Sequence, residues 1–207
     1  MVVLLLLSML SSPFAEATQA AYAQRDADRL RTLLGQASSR ADSLLVRYRL
    51  YPLTEDASVL DDLPSSLSDG TAREHALLSG LWAYRAGEAS IFSAVRYGRR
   101  STSLLEQAKA QAPRAPFVLL VEGQSLLFRP AIAGKDPAAA VSRFSRLAKI
   151  VETSEAEAIT ETEAHMWRWL ALREADRPDE AQALFERLLR QNPGPLYRQF
   201  LESPPDV

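Results

Sequence analysis

Ser125, Asp136 and His165 occur in the chain order of an α/β-hydrolase triad, and Ser125 follows Gly123-Gln124 behind the apolar run Phe117-Val118-Leu119-Leu120-Val121. The chemistry would be acyl transfer, with serine as nucleophile and histidine as base. The pattern breaks at Leu127, where the sharp turn that presents such a serine needs a residue without a side chain. No other segment reads as a parallel strand from which to build the sheet. His75 and His165 are the only histidines and cysteine is absent. Neither histidine has metalloprotease spacing, so a transition-metal site would need carboxylates brought from distant segments, and none is expected. The acidic stretch Leu53 to Gly70 lacks the alternating ligands and closing glutamate of a calcium loop. The glutamates between Glu152 and Glu163 load the start of a helix, where the dipole favours negative charge without any ion. Arg96, Tyr97, Arg99 and Arg100 form the densest basic cluster and read as a solvated helix face, or as a contact for an anion or for the acidic stretch Leu53 to Gly70.

The elements that must position these residues are helices. Apolar residues recur at spacings of three and four from Leu30 to Leu201, and no stretch alternates with period two. One long helical region is expected from Thr18 to Tyr51, with Arg25-Asp26 as the point where it could break and Pro52 as its stop. Leu53 to Gly70 reads as an acidic loop. Thr71 and Glu74 have capping-box spacing ahead of a helix that ends at Gly87. Further helices are expected over Ala89 to Gln111, Phe117 to Phe128, Pro137 to Val151, from Ser154 or Thr160 to Asp176, from Pro178 to before Asn192, and over Leu196 to Leu201.

At 207 residues and 47% hydrophobic content, one domain is expected. A net charge of -2 excludes the basic excess of a nucleic-acid groove and offers no support for membrane-surface binding. Residues 1–17 have a different character. The apolar run Val2 to Leu10, Ser11-Ser12-Pro13 and Ala15-Glu16-Ala17 have the order of a secretory signal, without its usual basic residue, and the run is shorter than the roughly 20 residues of a spanning helix. A signal peptide over 1–17 and a single helical domain over 18–207 are therefore expected, with export to a periplasm or beyond. The alternative is a cytoplasmic protein in which Val2 to Ala23 is the first helix of the domain.

The passage Pro137-Ala138-Ala139-Ala140-Val141-Ser142-Arg143-Phe144-Ser145-Arg146-Leu147 returns 41 residues later as Pro178-Asp179-Glu180-Ala181-Gln182-Ala183-Leu184-Phe185-Glu186-Arg187-Leu188. A repeat of this period points to stacked helical hairpins. Ala181, Phe185, Leu188 and Pro193, and likewise Ala140, Phe144 and Leu147, have the spacing of the second helix of a tetratricopeptide repeat. Gly80, Gly123 and Ala164 fill the small position of the first helix. Over Thr71 to Pro193 the chain resembles a divergent tetratricopeptide repeat protein of exported bacterial type, with units about 71–113, 114–153 and 156–193. It departs from that family in its longer period and its extended connector Arg129 to Lys135.

The resemblance implies an all-α fold of antiparallel hairpins stacked as a short solenoid, and a concave groove lined by the first helices. The candidate groove residues are Tyr84 and Arg85, then Gln124 and Phe128, then His165, Arg168 and Trp169, a mixture of aromatics and cations suited to a peptide with apolar anchors and a carboxylate. The function expected is a non-catalytic protein- or peptide-binding scaffold of the bacterial cell envelope, with neither cofactor nor metal. Alternatives are a structural subunit of a larger envelope complex and a hydrolase using Ser125 and His165.

Overall fold

The computed structural model describes residues 12–153 and 158–207. Val2 to Leu10 and Ser154 lie outside them, and with them most of the expected signal segment. The described residues form ten α-helices and no strand: α1 (Pro13–Ala23), α2 (Ala27–Gln36), α3 (Arg40–Thr54), α4 (Ala72–Gly87), α5 (Ile91–Gln111), α6 (Pro116–Phe128), α7 (Pro137–Thr153), α8 (Glu161–Glu174), α9 (Pro178–Arg190) and α10 (Pro195–Glu202). The fold is all-α.

Local chemistry sets most of the boundaries. The side chains of Ser12, Asp26, Ser39, Thr71 and Thr160 each accept an amide of the first helical turn, satisfying donors that have no partner within the helix. Thr71 and Glu74 complete the expected capping box. Proline opens α6, α7, α9 and α10, where a missing amide costs nothing. At the other ends, Arg25, Glu55, Asp176 and Asn192 adopt left-handed backbone and turn the chain away.

The helical region expected from Thr18 to Tyr51 is three helices, broken at Arg25 and again between Ala37 and Ser39. Pro52 does not stop α3, which continues to Thr54 and ends at Glu55. The proline sits in the last turn, where Leu50 and Tyr51 are buried and one lost amide bond is tolerated. The acidic stretch that follows is packed rather than free. Val59, Leu60, Leu63 and Leu67 are buried, while its carboxylates face outward. It runs back along α4: the Leu60 carbonyl accepts from Arg85 at 2.5 Å, that of Pro64 from Trp82 at 3.0 Å, and that of Leu67 lies 3.3 Å from His75 Nε2.

From α2 to α9 each helix packs against the next. A second set of contacts joins α1 to α3, α3 to α4, α4 to α6, α6 to α8, α8 to α10, and α10 back to α1. Six helices thus form a closed circuit of packed neighbours around the middle of the molecule, with α2, α5, α7 and α9 outside it. The two glycines expected to let helices approach do so against different partners. A Cβ on Gly123 would lie 2.5 Å from the ring of Phe144 in α7, and one on Gly80 would lie 2.6 Å from the ring of Tyr48 in α3.

Candidate functional site

The seven residues expected along a groove do not form one open surface. Tyr84 and Gln124 meet through Tyr48, whose ring stacks on Tyr84 at 5.7 Å between centroids and whose hydroxyl donates to Gln124 Oε1. Arg85 turns the other way and donates to the Leu60 carbonyl. Phe128 is partly exposed and packs edge-on against Trp167. Trp169 is buried between Phe185 of α9 and Phe200 of α10. His165 is buried, and Arg168 beside it is half-buried. The copied phenylalanines also differ in setting. Phe144 is fully buried against Trp167, whereas Phe185 is half-buried against Trp169.

The centre of the six-helix circuit is filled by a polar and aromatic cluster to which every helix of the circuit contributes. Arg49 of α3 pairs with Glu163 of α8 at 2.5 and 3.0 Å, and its second nitrogen also donates to the Ala158 carbonyl at 2.9 Å. Gln19 of α1 donates to Glu163 at 3.2 Å and to the Tyr197 hydroxyl of α10 at 2.7 Å. The Arg49 guanidinium lies 4.6 Å from the ring centroid of Tyr22 in α1 and 5.6 Å from that of Phe117 in α6. Tyr84 of α4 completes the set by stacking on Tyr48. Burial pushes the Tyr22 hydroxyl up to about 12 and raises Tyr48, Tyr84 and Tyr197 as well, so all four remain protonated at neutral pH. Such a cluster joins helices through buried hydrogen bonds and ring contacts. Thr160 and Glu163 have capping-box spacing in the sequence, but only Thr160 caps, because the Glu163 carboxylate is drawn inward to Arg49.

Ser125, Asp136 and His165 are not joined to one another by hydrogen bonds. Phe117 to Val121 is helix, Ser125 Oγ accepts from Arg129 at 3.0 Å, Asp136 caps α7, and neither ring nitrogen of His165 has a hydrogen-bond partner.

Two other places carry chemistry that the sequence did not bring together. The first is the amino-terminal part of α5, where Ile91, Phe92 and Val95 are 82%, 92% and 54% exposed. Arg96 and Arg99 are exposed on the same face. Beside it lies a pocket of about 290 Å³ lined by Leu60, Asp61, Arg85, Ser93 and Tyr97. Arg85 and Arg96 flank the Tyr97 ring at 5.5 and 5.1 Å from its centroid, and the bond from Arg96 holds the phenol below its ordinary range. Phe128 and the fully exposed Ile132 lie towards the same end of the helices. Gln111 at the end of α5 reaches Gly70 before α4, and Arg73 near the start of α4 covers Phe117 near the start of α6, so α4 and α6 run the same way and their far ends coincide.

The second place is around His165. Its Nε2 lies 3.3 Å from Glu152 Oε1 at the end of α7 and 3.5 Å from Glu161 Oε1 one turn earlier in α8. Arg187 of α9 pairs with the same Glu161 oxygen at 2.8 Å. Burial, with Arg187 adding to it, lowers the pKa of His165, so its imidazole is neutral at pH 7. The only signal of this in the sequence is Glu161 four residues before His165; Glu152 arrives through the fold.

Compared with known proteins, the chain matches no family model, no curated protein and no solved structure. No described helix is long and apolar enough to cross a membrane.

Proposed function

We propose that this chain is a non-catalytic helical scaffold that binds an acidic, amphipathic protein segment on the amino-terminal face of α5. The observation that carries this reading is Phe92, a large apolar side chain 92% exposed on a well-formed helix, with Ile91 and Val95 beside it. Exposed apolar side chains in a contiguous group mark contact surfaces more often than solvent-facing ones. Arg96 and Arg99 on the same face favour carboxylates in the partner, and the adjacent pocket offers room for one anchoring side chain. The consecutive hairpins α4–α5, α6–α7 and α8–α9, with their copied Ala, Phe and Leu positions, support a short tetratricopeptide-like array as the scaffold. The contact surface then lies outside the array, because the centre is occupied by Arg49, Glu163 and the tyrosines around them.

A displayed library of helical peptides tests this directly. Selection on the wild-type chain is expected to enrich peptides with apolar anchors flanked by Asp and Glu, and selection on a Phe92→Ser, Arg99→Glu variant to lose them. Equal enrichment by both proteins overturns the assignment.

A place in the bacterial envelope belongs to the same proposal. Gln19 and Tyr22, the residues through which α1 joins the central cluster, lie beyond the expected cleavage point after Ala17. Intact-mass measurement of the protein from its native source should show loss of residues 1–17; a mass that retains them places the buried Ala15 in the working fold and removes the export reading. The structural-subunit alternative is favoured by Ile132 and Phe128, which extend the exposed apolar surface across the same end of the molecule. Light scattering after size-exclusion of native extracts separates the two, since a subunit elutes far above its own mass.

A further inference from the structure

We infer that Glu152, Glu161 and His165 form a binding site for one zinc ion that clips the end of α7 to the start of α8. Three side-chain atoms, one imidazole nitrogen and two carboxylate oxygens, lie within 4.8 Å of one another. Acidic residues alone would not make a site. The observation that does so is His165 itself: its side chain is 2% exposed, it points at both carboxylates, and Nε2 makes no hydrogen bond to either. The fold has buried a polar ring and left the nitrogen that faces the glutamates without a partner, which native interiors rarely do.

The two separations from Nε2 match those between ligands of one tetrahedral metal ion. Ligand atoms about 2.0–2.1 Å from a tetrahedral zinc stand about 3.3–3.4 Å from each other. Nε2 is 3.3 Å from one glutamate oxygen and 3.5 Å from the other. Glu161 and His165 occupy one face of α8 a turn apart, and Glu152 comes from the last turn of α7, so the ligands converge from two rigid elements. Arg187 bonds to the Glu161 carboxylate, the outer contact that commonly orients a ligating carboxylate. Glu152 pairs with no lysine or arginine among the described residues. The two glutamate side chains are 41% and 43% exposed, which leaves a path from solvent and a fourth position for water or an incoming ligand. A nitrogen with two carboxylates suits zinc; calcium and magnesium prefer oxygen alone.

The other histidine is committed elsewhere, with its ring nitrogens at the carbonyls of Thr71 and Leu67. With only two histidines in the chain, nitrogen-15 resonances report the site without ambiguity. The full chain, stripped with chelator, is titrated with zinc chloride by calorimetry, and in parallel with calcium chloride. One zinc per chain is expected, with a shift of the His165 Nε2 resonance and none at His75. Glu152→Gln, a change at a partly exposed side chain that leaves the apo fold intact, removes a direct ligand and should weaken zinc by more than the roughly 10- to 100-fold that loss of an outer contact costs; His165→Gln should abolish it. Zinc should raise the melting temperature of the wild type and not that of Glu152→Gln. The proposal is overturned by no zinc uptake, by uptake equal in wild type and Glu152→Gln, by zinc binding that leaves His165 unshifted, or by calcium binding as tightly as zinc.

Discussion

Arg49 and Glu163 are the residues on which the middle of this molecule turns. Each is almost completely buried, and each faces the other. Removing one partner leaves an uncompensated charge in a dry interior, whereas removing both removes the problem with them. Arg49→Met is therefore expected to cost about 3–5 kcal/mol in urea unfolding. Arg49→Met combined with Glu163→Leu should recover a large part of that, and the double-mutant cycle gives the coupling. Additive losses would mean that each residue acts through separate contacts, with Gln19 and Ala158 weighing more than the pair itself. In the sequence Glu163 and Glu161 both read as acids at a helix start, and the capping-box spacing of Glu163 from Thr160 points to the backbone rather than to Arg49. The first points to Arg49 and the second to His165, a difference that arises only because α8 is docked on its neighbours with one face inward.

At the level of the helix, two glycines in helix interiors behave oppositely. Gly123 faces Phe144 at a distance no Cβ can share, so Gly123→Ala forces α6 and α7 apart and should destabilise by about 1–3 kcal/mol. Gly98, in the interior of α5, has nothing within 4 Å of a built Cβ. Gly98→Ala should stabilise by up to about 1 kcal/mol through helix propensity alone. Thermal or urea unfolding of the two variants checks both signs. Capping residues, initiating prolines and apolar spacing made nearly every helix after residue 70 legible in advance, because those signals act within a few residues of where they stand. The first region was harder to read. The break at Arg25 depends on a non-glycine residue taking left-handed backbone, and α3 runs through Pro52 because burial of Leu50 and Tyr51 outweighs one lost amide bond. The buried leucines of the acidic stretch were hidden by the carboxylates between them.

For the whole molecule, closure is the decisive property. α10 packs against both α8 and α1, and the Tyr197 hydroxyl accepts from Gln19 at 2.7 Å, so the two ends of the described chain meet over the central cluster. Loss of α10 should uncover Trp167 and Trp169, through the contacts of Phe200 with both, and appear as a red shift in tryptophan emission and a lower melting temperature. The cluster also sets an alkaline limit. The Tyr22 hydroxyl ionises near 10.0 in the unfolded chain and at about 12 in the fold, so the folded state holds its proton longer. Stability from this group is complete below pH 10 and falls as pH rises from 10 to 12, by about 1.4 kcal/mol per pH unit for each such tyrosine. With Tyr48, Tyr84 and Tyr197 raised too, the urea midpoint should drop steeply above pH 10, and Tyr22→Phe should make that drop shallower.

By itself the amino-acid sequence determined the helical class, most of the helix boundaries, and the lack of any thiol, because periodicity, caps and composition are properties of neighbouring residues. Only the tertiary structure decided that the expected groove residues are divided between a filled centre, a packed aromatic layer and the surface. It also decided that Phe92 stands in solvent and that Glu152 meets His165. Those are outcomes of how whole helices dock, and docking depends on side chains far apart in the chain, which no local spacing records.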